Sequence, residues 1–148
     1  MPLNPSFVGR TYPPSAPYRV CREKIREFAA AIGAADPAHH EPDAARALGY
    51  PDVVAPVTFP VVFTWPATRT LVDDPELGLD FSRVVHGDQR FDYRRPVVAG
   101  DELVCTNTIE QISSRAGNDM ITVRTDVATT GDEPVVSAWA MLVVRGGE

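Results

Sequence analysis

The spacing of hydrophobic and polar positions divides this chain into two parts. Cys21, Ile25, Phe28, Ala29 and Ile32 recur at the interval of one helix face, while Arg22, Glu23, Arg26 and Glu27 fall largely on other faces. Glu23 stands in the first turn, where an acid complements the helix dipole, and Gly33 is a natural stop. The pattern predicts a helix over 21–32. The polar stretch 34–42 reads as a loop. Pro42 is placed to start a short helix through Leu48 that ends at Gly49. From Val57 to Leu71 the spacing is again mostly helical, but Pro60 and Pro66 interrupt it, so a kinked or broken helix is expected. Residues 72–80 make an acidic loop. The arm before the first helix, 1–17, reads as extended, with a short strand at Tyr18-Arg-Val.

Further along the chain the period becomes two. In 84–95, Gln89, Phe91 and Tyr93 share one side, and Arg90, Asp92 and Arg94 the other, with Pro96 as terminator. Ala99-Gly100-Asp101 is a turn, 102–112 a strand, and 113–118 a loop. In 120–130, Ile121, Val123, Thr125 and Val127 alternate with Thr122, Arg124 and Asp126, which predicts a half-buried strand. Residues 135–145 are apolar on both faces and read as a central strand. Short turns between strands imply an antiparallel meander. A helical first half and a strand-rich second half give an α+β class: a curved antiparallel sheet covering the 21–32 helix. No internal repeat or linker divides residues 1–148, so one domain is expected.

Composition narrows the function classes. Hydrophobic residues at 44% and charged residues at 23% are those of a globular chain. The net charge of −6 argues against a general nucleic-acid binder, which needs a basic face. No stretch approaches the roughly 20 apolar residues that cross a bilayer, and the first residues lack a secretory pattern. Cys21 and Cys105 belong to no metal-spaced or redox pair, which fits a reducing cytoplasm. The 14 prolines are spread along the chain and read as punctuation inside a fold.

Three blocks then stand out: Arg22-Glu-Lys-Ile-Arg-Glu-Phe-Ala, Val54-Ala-Pro-Val-Thr-Phe, and Val85-His-Gly-Asp-Gln-Arg-Phe-Asp-Tyr-Arg-Arg-Pro-Val-Val-Ala-Gly-Asp. Their order and spacing resemble the N-terminal MaoC-like dehydratase family of the hot-dog fold. More narrowly, they resemble small actinobacterial proteins related to the HadA subunit of mycobacterial (3R)-hydroxyacyl-ACP dehydratase. The resemblance runs from about Phe7 to Val144, and the 85–101 block is its most specific part. It implies a sheet wrapped round a helix and two such folds paired into a working unit. It also implies acyl thioesters of coenzyme A or acyl carrier protein (acyl-CoA or acyl-ACP) as substrates, and no metal or redox cofactor. The reaction implied interconverts a (3R)-3-hydroxyacyl and a trans-2-enoyl thioester.

That reaction needs a base for a carbon-bound proton, an acid for the departing hydroxyl, and N–H donors for the thioester oxygen. The family's active subunits carry a loop resembling Asp-x-Asn-Pro-x-His. Here the loop reads Ala34-Ala35-Asp36-Pro37-Ala38-His39. Pro37 and His39 match, but Ala34 stands at the Asp position. His39 is the candidate base or a surface histidine, and Asp36 is the candidate for the missing acid role. A carboxylate displaced by two residues is misplaced by several ångströms, and about 1 Å can cost roughly a hundredfold. A second hot-dog subunit that brings the full Asp and His pair is therefore expected, in a hetero- or homodimer.

The remaining candidates concern binding. Phe59, Phe63 and Trp65 either wall an acyl channel or pack the core, and Thr58 is placed to cap a helix. His86 and Gln89 either pair at a dimer seam or approach the thioester. Arg94 and Arg95 belong to a solvated charged face or dock carrier or CoA phosphates. A non-catalytic acyl-thioester binding or assembly protein and a hot-dog thioesterase are the competing functions.

Overall fold

A computed structural model describes residues 3–147. The first part of the chain carries β1 (Tyr18–Arg19), α1 (Arg22–Ala31), α2 (Pro42–Ala47), α3 (Val61–Ala67) and α4 (Arg69–Val72). The second carries β2 (Val84–Tyr93), β3 (Glu102–Arg115), β4 (Asn118–Thr129) and β5 (Pro134–Val144). The expected break in the 57–71 helix falls at Thr68, two residues after Pro66. A 3-10 turn, Pro37–His39, lies within the predicted 34–42 loop. Among the described residues no helix is long and apolar enough to cross a membrane.

The strands form one antiparallel sheet in the order β1-β3-β4-β5-β2. The sheet curls around a helical segment in the hot-dog manner. β3, β4 and β5 make the expected meander, and β5 is interior, as its two apolar faces require. Two details differ from the sequence reading. The loop at 113–118 shrinks to the turn Ala116-Gly117, because Arg115 already pairs with Asn118. Both turn residues have positive φ, 51° and 78°, the conformation that matches a tight hairpin to strand twist. β2 does not adjoin β3, its successor in sequence; it crosses to the far edge and pairs with β5, Gln89 opposite Ala140.

The helix seated on the sheet is α3, not the 21–32 helix. Asn107 of β3 donates from Nδ2 to the Ala67 carbonyl at 2.8 Å and accepts from Thr125 Oγ1 at 2.6 Å. Ala67 ends α3, so its carbonyl lacks a helical partner, and the buried Asn107 satisfies it. An unpartnered buried amide costs about 1–3 kcal/mol, which is why this polar pair is tolerated inside an apolar layer. α1 packs at the end of this assembly instead. Its Ile25 and Ala29 are fully buried, and Phe28 meets Phe59 edge-on at 5.5 Å. Ile25 joins Phe59, Phe63, Leu103 and Val127 in one core cluster. A second cluster, around Leu71, Leu77, Ile109 and Leu142, fills the other end.

Candidate functional site

The loop after α1 is held by its own side chains. Asp36 Oδ1 accepts the Ala38 N–H at 2.9 Å and so caps the 3-10 turn. His40 Nε2 lies 2.8 Å from the Ala34 carbonyl, and Arg26 Nε donates to the His40 carbonyl at 2.7 Å. Val54 then clamps the turn from the other side. Its N–H donates to the Ala38 carbonyl at 3.0 Å, and its carbonyl oxygen lies 2.6 Å from His39 Nδ1. A carbonyl only accepts, so Nδ1 carries the proton and the neutral ring has its lone pair on Nε2.

His39 lines a groove of about 720 Å³ with Ala34, Tyr50, Val54–Thr58 and Tyr93–Pro96. Its walls are mostly apolar. The Tyr93 hydroxyl donates to the Val57 carbonyl at 2.6 Å and straps the far wall to β2; burial pushes that phenol well above its usual range. Among the described lining residues there is no carboxylate. Ala34 presents a methyl group to the groove.

The groove brings together His39, Thr58, Arg94 and Arg95, but the two arginines differ. Arg95 donates bidentately to Asp101 at 2.9 and 3.0 Å and to Glu133 at 2.6 Å. These bonds raise its pKa, Asp101 contributing most, and they tie the end of β2 to the start of β3 and to the β4–β5 turn. Arg94 is exposed and has only the exposed Asp92 beside it, at 3.2 Å. Thr58 caps no helix: α3 begins after Pro60 without a side-chain cap. Asp36 is exposed, outside the groove lining, and occupied as a cap.

A second, smaller cavity of about 210 Å³ gathers Trp65, His86 and Gln89 with Thr64 of α3 and Thr125 of β4. Strict alternation would set His86 on the face of Asp88 and Arg90. A bulge between His86 and Asp88 turns it to the face of Gln89, where it lies against Trp65 with ring centroids 5.5 Å apart and planes tilted by 42°. Thr64 went unnoticed in the sequence, because a threonine inside an apolar helix carries no signal of its own. Phe59 has no exposed surface, and Phe63 is 4% exposed; both are core residues. Phe63 also borders a separate cleft beside Tyr18 and Cys105. Cys105 is buried, and burial pushes its thiol up to about 12. Among the described residues, no group of three or more His, Cys, Asp or Glu side chains is placed to hold a metal.

Relatives and solved structures agree with this architecture. A UPF0336 protein of Streptomyces coelicolor is 57% identical over 148 residues, covering 100% of this chain and 99% of the relative. One of Saccharopolyspora erythraea is 53% identical over 146 residues, covering 99% and 94%. A MaoC-like dehydratase structure superposes with a TM-score of 0.88 at 32% identity, over 96% of this chain. This chain spans only 43% of that larger one. The C-terminally truncated HadBC (3R-hydroxyacyl-ACP dehydratase) complex of Mycobacterium tuberculosis gives a TM-score of 0.82 at 32% identity, over 93% of this chain and 96% of that one. The model of the FAS1-like dehydratase domain region matches residues 6–138, and the chain belongs to that family.

Proposed function

We propose that this chain is a cytoplasmic subunit of a (3R)-3-hydroxyacyl-thioester dehydratase, or of the reverse enoyl hydratase, in fatty-acid metabolism. One observation carries the reading: His39, whose Nε2 has no partner among the described residues, lines a largely apolar groove with no carboxylate among its described lining residues. In dehydration, Nε2 of His39 takes the proton from C2 of the thioester. The C3–oxygen bond breaks, and the hydroxyl leaves as water after gaining a proton from a carboxylic acid. This chain lacks that acid at Ala34, and a second hot-dog subunit supplies it. The structural neighbour from Mycobacterium tuberculosis is itself a dehydratase complex, which supports a two-chain unit. The N–H groups of Val57 and Thr58 have no acceptor among the described residues and are the available donors for the thioester oxygen. Arg94 at the rim suits the phosphates of acyl-CoA or acyl-ACP.

The test is hydration of crotonyl-CoA by the chain alone, by a MaoC-type partner alone, and by the two together, the partner keeping the Asp of its loop but carrying alanine in place of the loop His. The reading expects activity at least about a hundredfold higher in the mixture. Equal activity without the partner, abolished by His39→Ala, would make the chain an autonomous enzyme. Binding without turnover under any partner would make it an acyl-thioester binding protein. Release of free thiol from acyl-CoA would make it a thioesterase.

A further inference from the structure

Residues 56–59 form a β-turn in the wall of the His39 groove. Phe59 N–H donates to the Pro56 carbonyl at 2.9 Å, which sets Val57 and Thr58 at the two central positions. Thr58 has a negative φ, as in the type I form. The bond that closes the turn does not involve the Val57–Thr58 peptide. The Thr58 N–H has no acceptor among the described residues, and the Val57 side chain is 72% exposed, so its packing does not fix the turn. Rotating this one peptide converts a type I turn into type II and reverses both its carbonyl and its N–H.

A bond from outside the turn opposes that rotation. The Tyr93 hydroxyl donates to the Val57 carbonyl at 2.6 Å, from 36 residues away in sequence. Its anchor is stiff: Tyr93 lies opposite Val136 in the β2–β5 ladder, and its ring packs on the core cluster that contains Phe59 and Phe63. Burial keeps the phenol protonated, so it remains a donor at neutral pH. The C=O and N–H of a planar trans peptide point in opposite directions. Holding the Val57 carbonyl toward the phenol therefore aims the Thr58 N–H away from it. A hydrogen bond accepted by the carbonyl also polarises the amide and makes its N–H a stronger donor. We propose that Tyr93 is a positioning residue: its hydroxyl orients and polarises the Val57–Thr58 peptide, so that the Thr58 N–H donates to the oxygen of a bound thioester. This inference rests on the dehydratase-subunit reading above.

Thr58 holds the same peptide by different means. The reversed turn needs a positive φ at Thr58, which a β-branched residue resists. The hydroxyl of Tyr93 and the side chain of Thr58 thus guard one orientation, the first by a hydrogen bond and the second by sterics. Charge grows on the thioester oxygen only as the transition state is approached, so a donor that loses its aim lowers kcat and leaves KM nearly unchanged. Tyr93→Phe keeps the ring and its packing and removes only the bond.

Crotonyl-CoA hydration is measured with the chain and the MaoC-type partner that lacks its loop histidine. Tyr93→Phe should lower kcat about tenfold with KM within about twofold, a smaller loss than the roughly 10²–10³ that follows removal of an oxyanion donor itself. Adding Thr58→Gly to Tyr93→Phe releases both holds and should lower kcat by more than the product of the two single effects. Circular dichroism shows whether each variant is folded. A bond that merely straps the wall leaves kcat of the folded variant unchanged or raises KM; either result, or independent effects of the two substitutions, overturns the proposal. An inactive natural mixture would instead remove the dehydratase reading, and the Thr58 amide proton then decides the role of Tyr93. Crotonyl-CoA should move its resonance downfield in the natural chain and less in Tyr93→Phe; equal movement overturns the proposal. The same titration of the natural chain serves if Tyr93→Phe does not fold, and a Thr58 resonance that stays in place overturns it.

Discussion

The carbonyl oxygen of Val54 lies 2.6 Å from Nδ1 of His39, and this contact sets which ring nitrogen is free. Nitrogen-15 spectra of the neutral ring should therefore show Nδ1 protonated and Nε2 bare. In the mixed assembly whose partner lacks its own loop histidine, His39→Ala should lower crotonyl-CoA hydration by about 10²–10⁴, the range for losing a positioned base. A variant that keeps most of its activity removes His39 from the mechanism.

Ala34 lines the same groove as His39, so it is the place to restore the missing acid. Ala34→Asp should raise hydration by the chain alone at least about tenfold, equivalent to about 1.4 kcal/mol of barrier. Unchanged activity in a folded Ala34→Asp protein counts against the groove as the reacting site.

Asp36 caps the 3-10 turn through the Ala38 N–H. Asp36→Ala should cost about 1 kcal/mol of stability, measured by urea unfolding. Its effect on hydration should be far smaller than that of His39→Ala. A comparable loss of activity at unchanged stability would give Asp36 the acid role instead.

Ala116 holds φ 51° in the β3–β4 turn, a left-handed conformation that strains a side chain. Ala116→Gly should raise stability by up to about 1 kcal/mol, less the extra chain entropy of glycine when unfolded. For a chain of this length that is an increase of about 2–4 °C in Tm by calorimetry.

Two bonds from Arg22, at 2.9 and 2.8 Å, hold the Asp52 carboxyl down at about 2, below its ordinary 3.8. A depressed folded-state pKa contributes stability that is fully present above the unfolded value and lost as pH falls through the folded one. Denaturant midpoints should therefore fall more steeply between pH 4 and pH 2 in the natural protein than in Asp52→Asn. Equal slopes would show that the pair adds nothing in solution.

Local periodicity in the sequence was enough to place the secondary structure. Helix and strand spacing depend on neighbours two to four residues away, so α1, the broken α3–α4 pair and the meander were all legible. So were the three blocks that carry the family resemblance and the alanine at position 34, because those are matters of residue identity. Tertiary structure alone decided the rest. β2 joins β5 through contacts such as Gln89 with Ala140, too distant in sequence for any local pattern to report. The bulge that turns His86 toward Gln89, and the burial of Phe59 away from the groove, follow from packing between elements. The proton on His39 is set by a backbone carbonyl, a group every residue carries, so no side chain in the sequence marks which one will lie beside it.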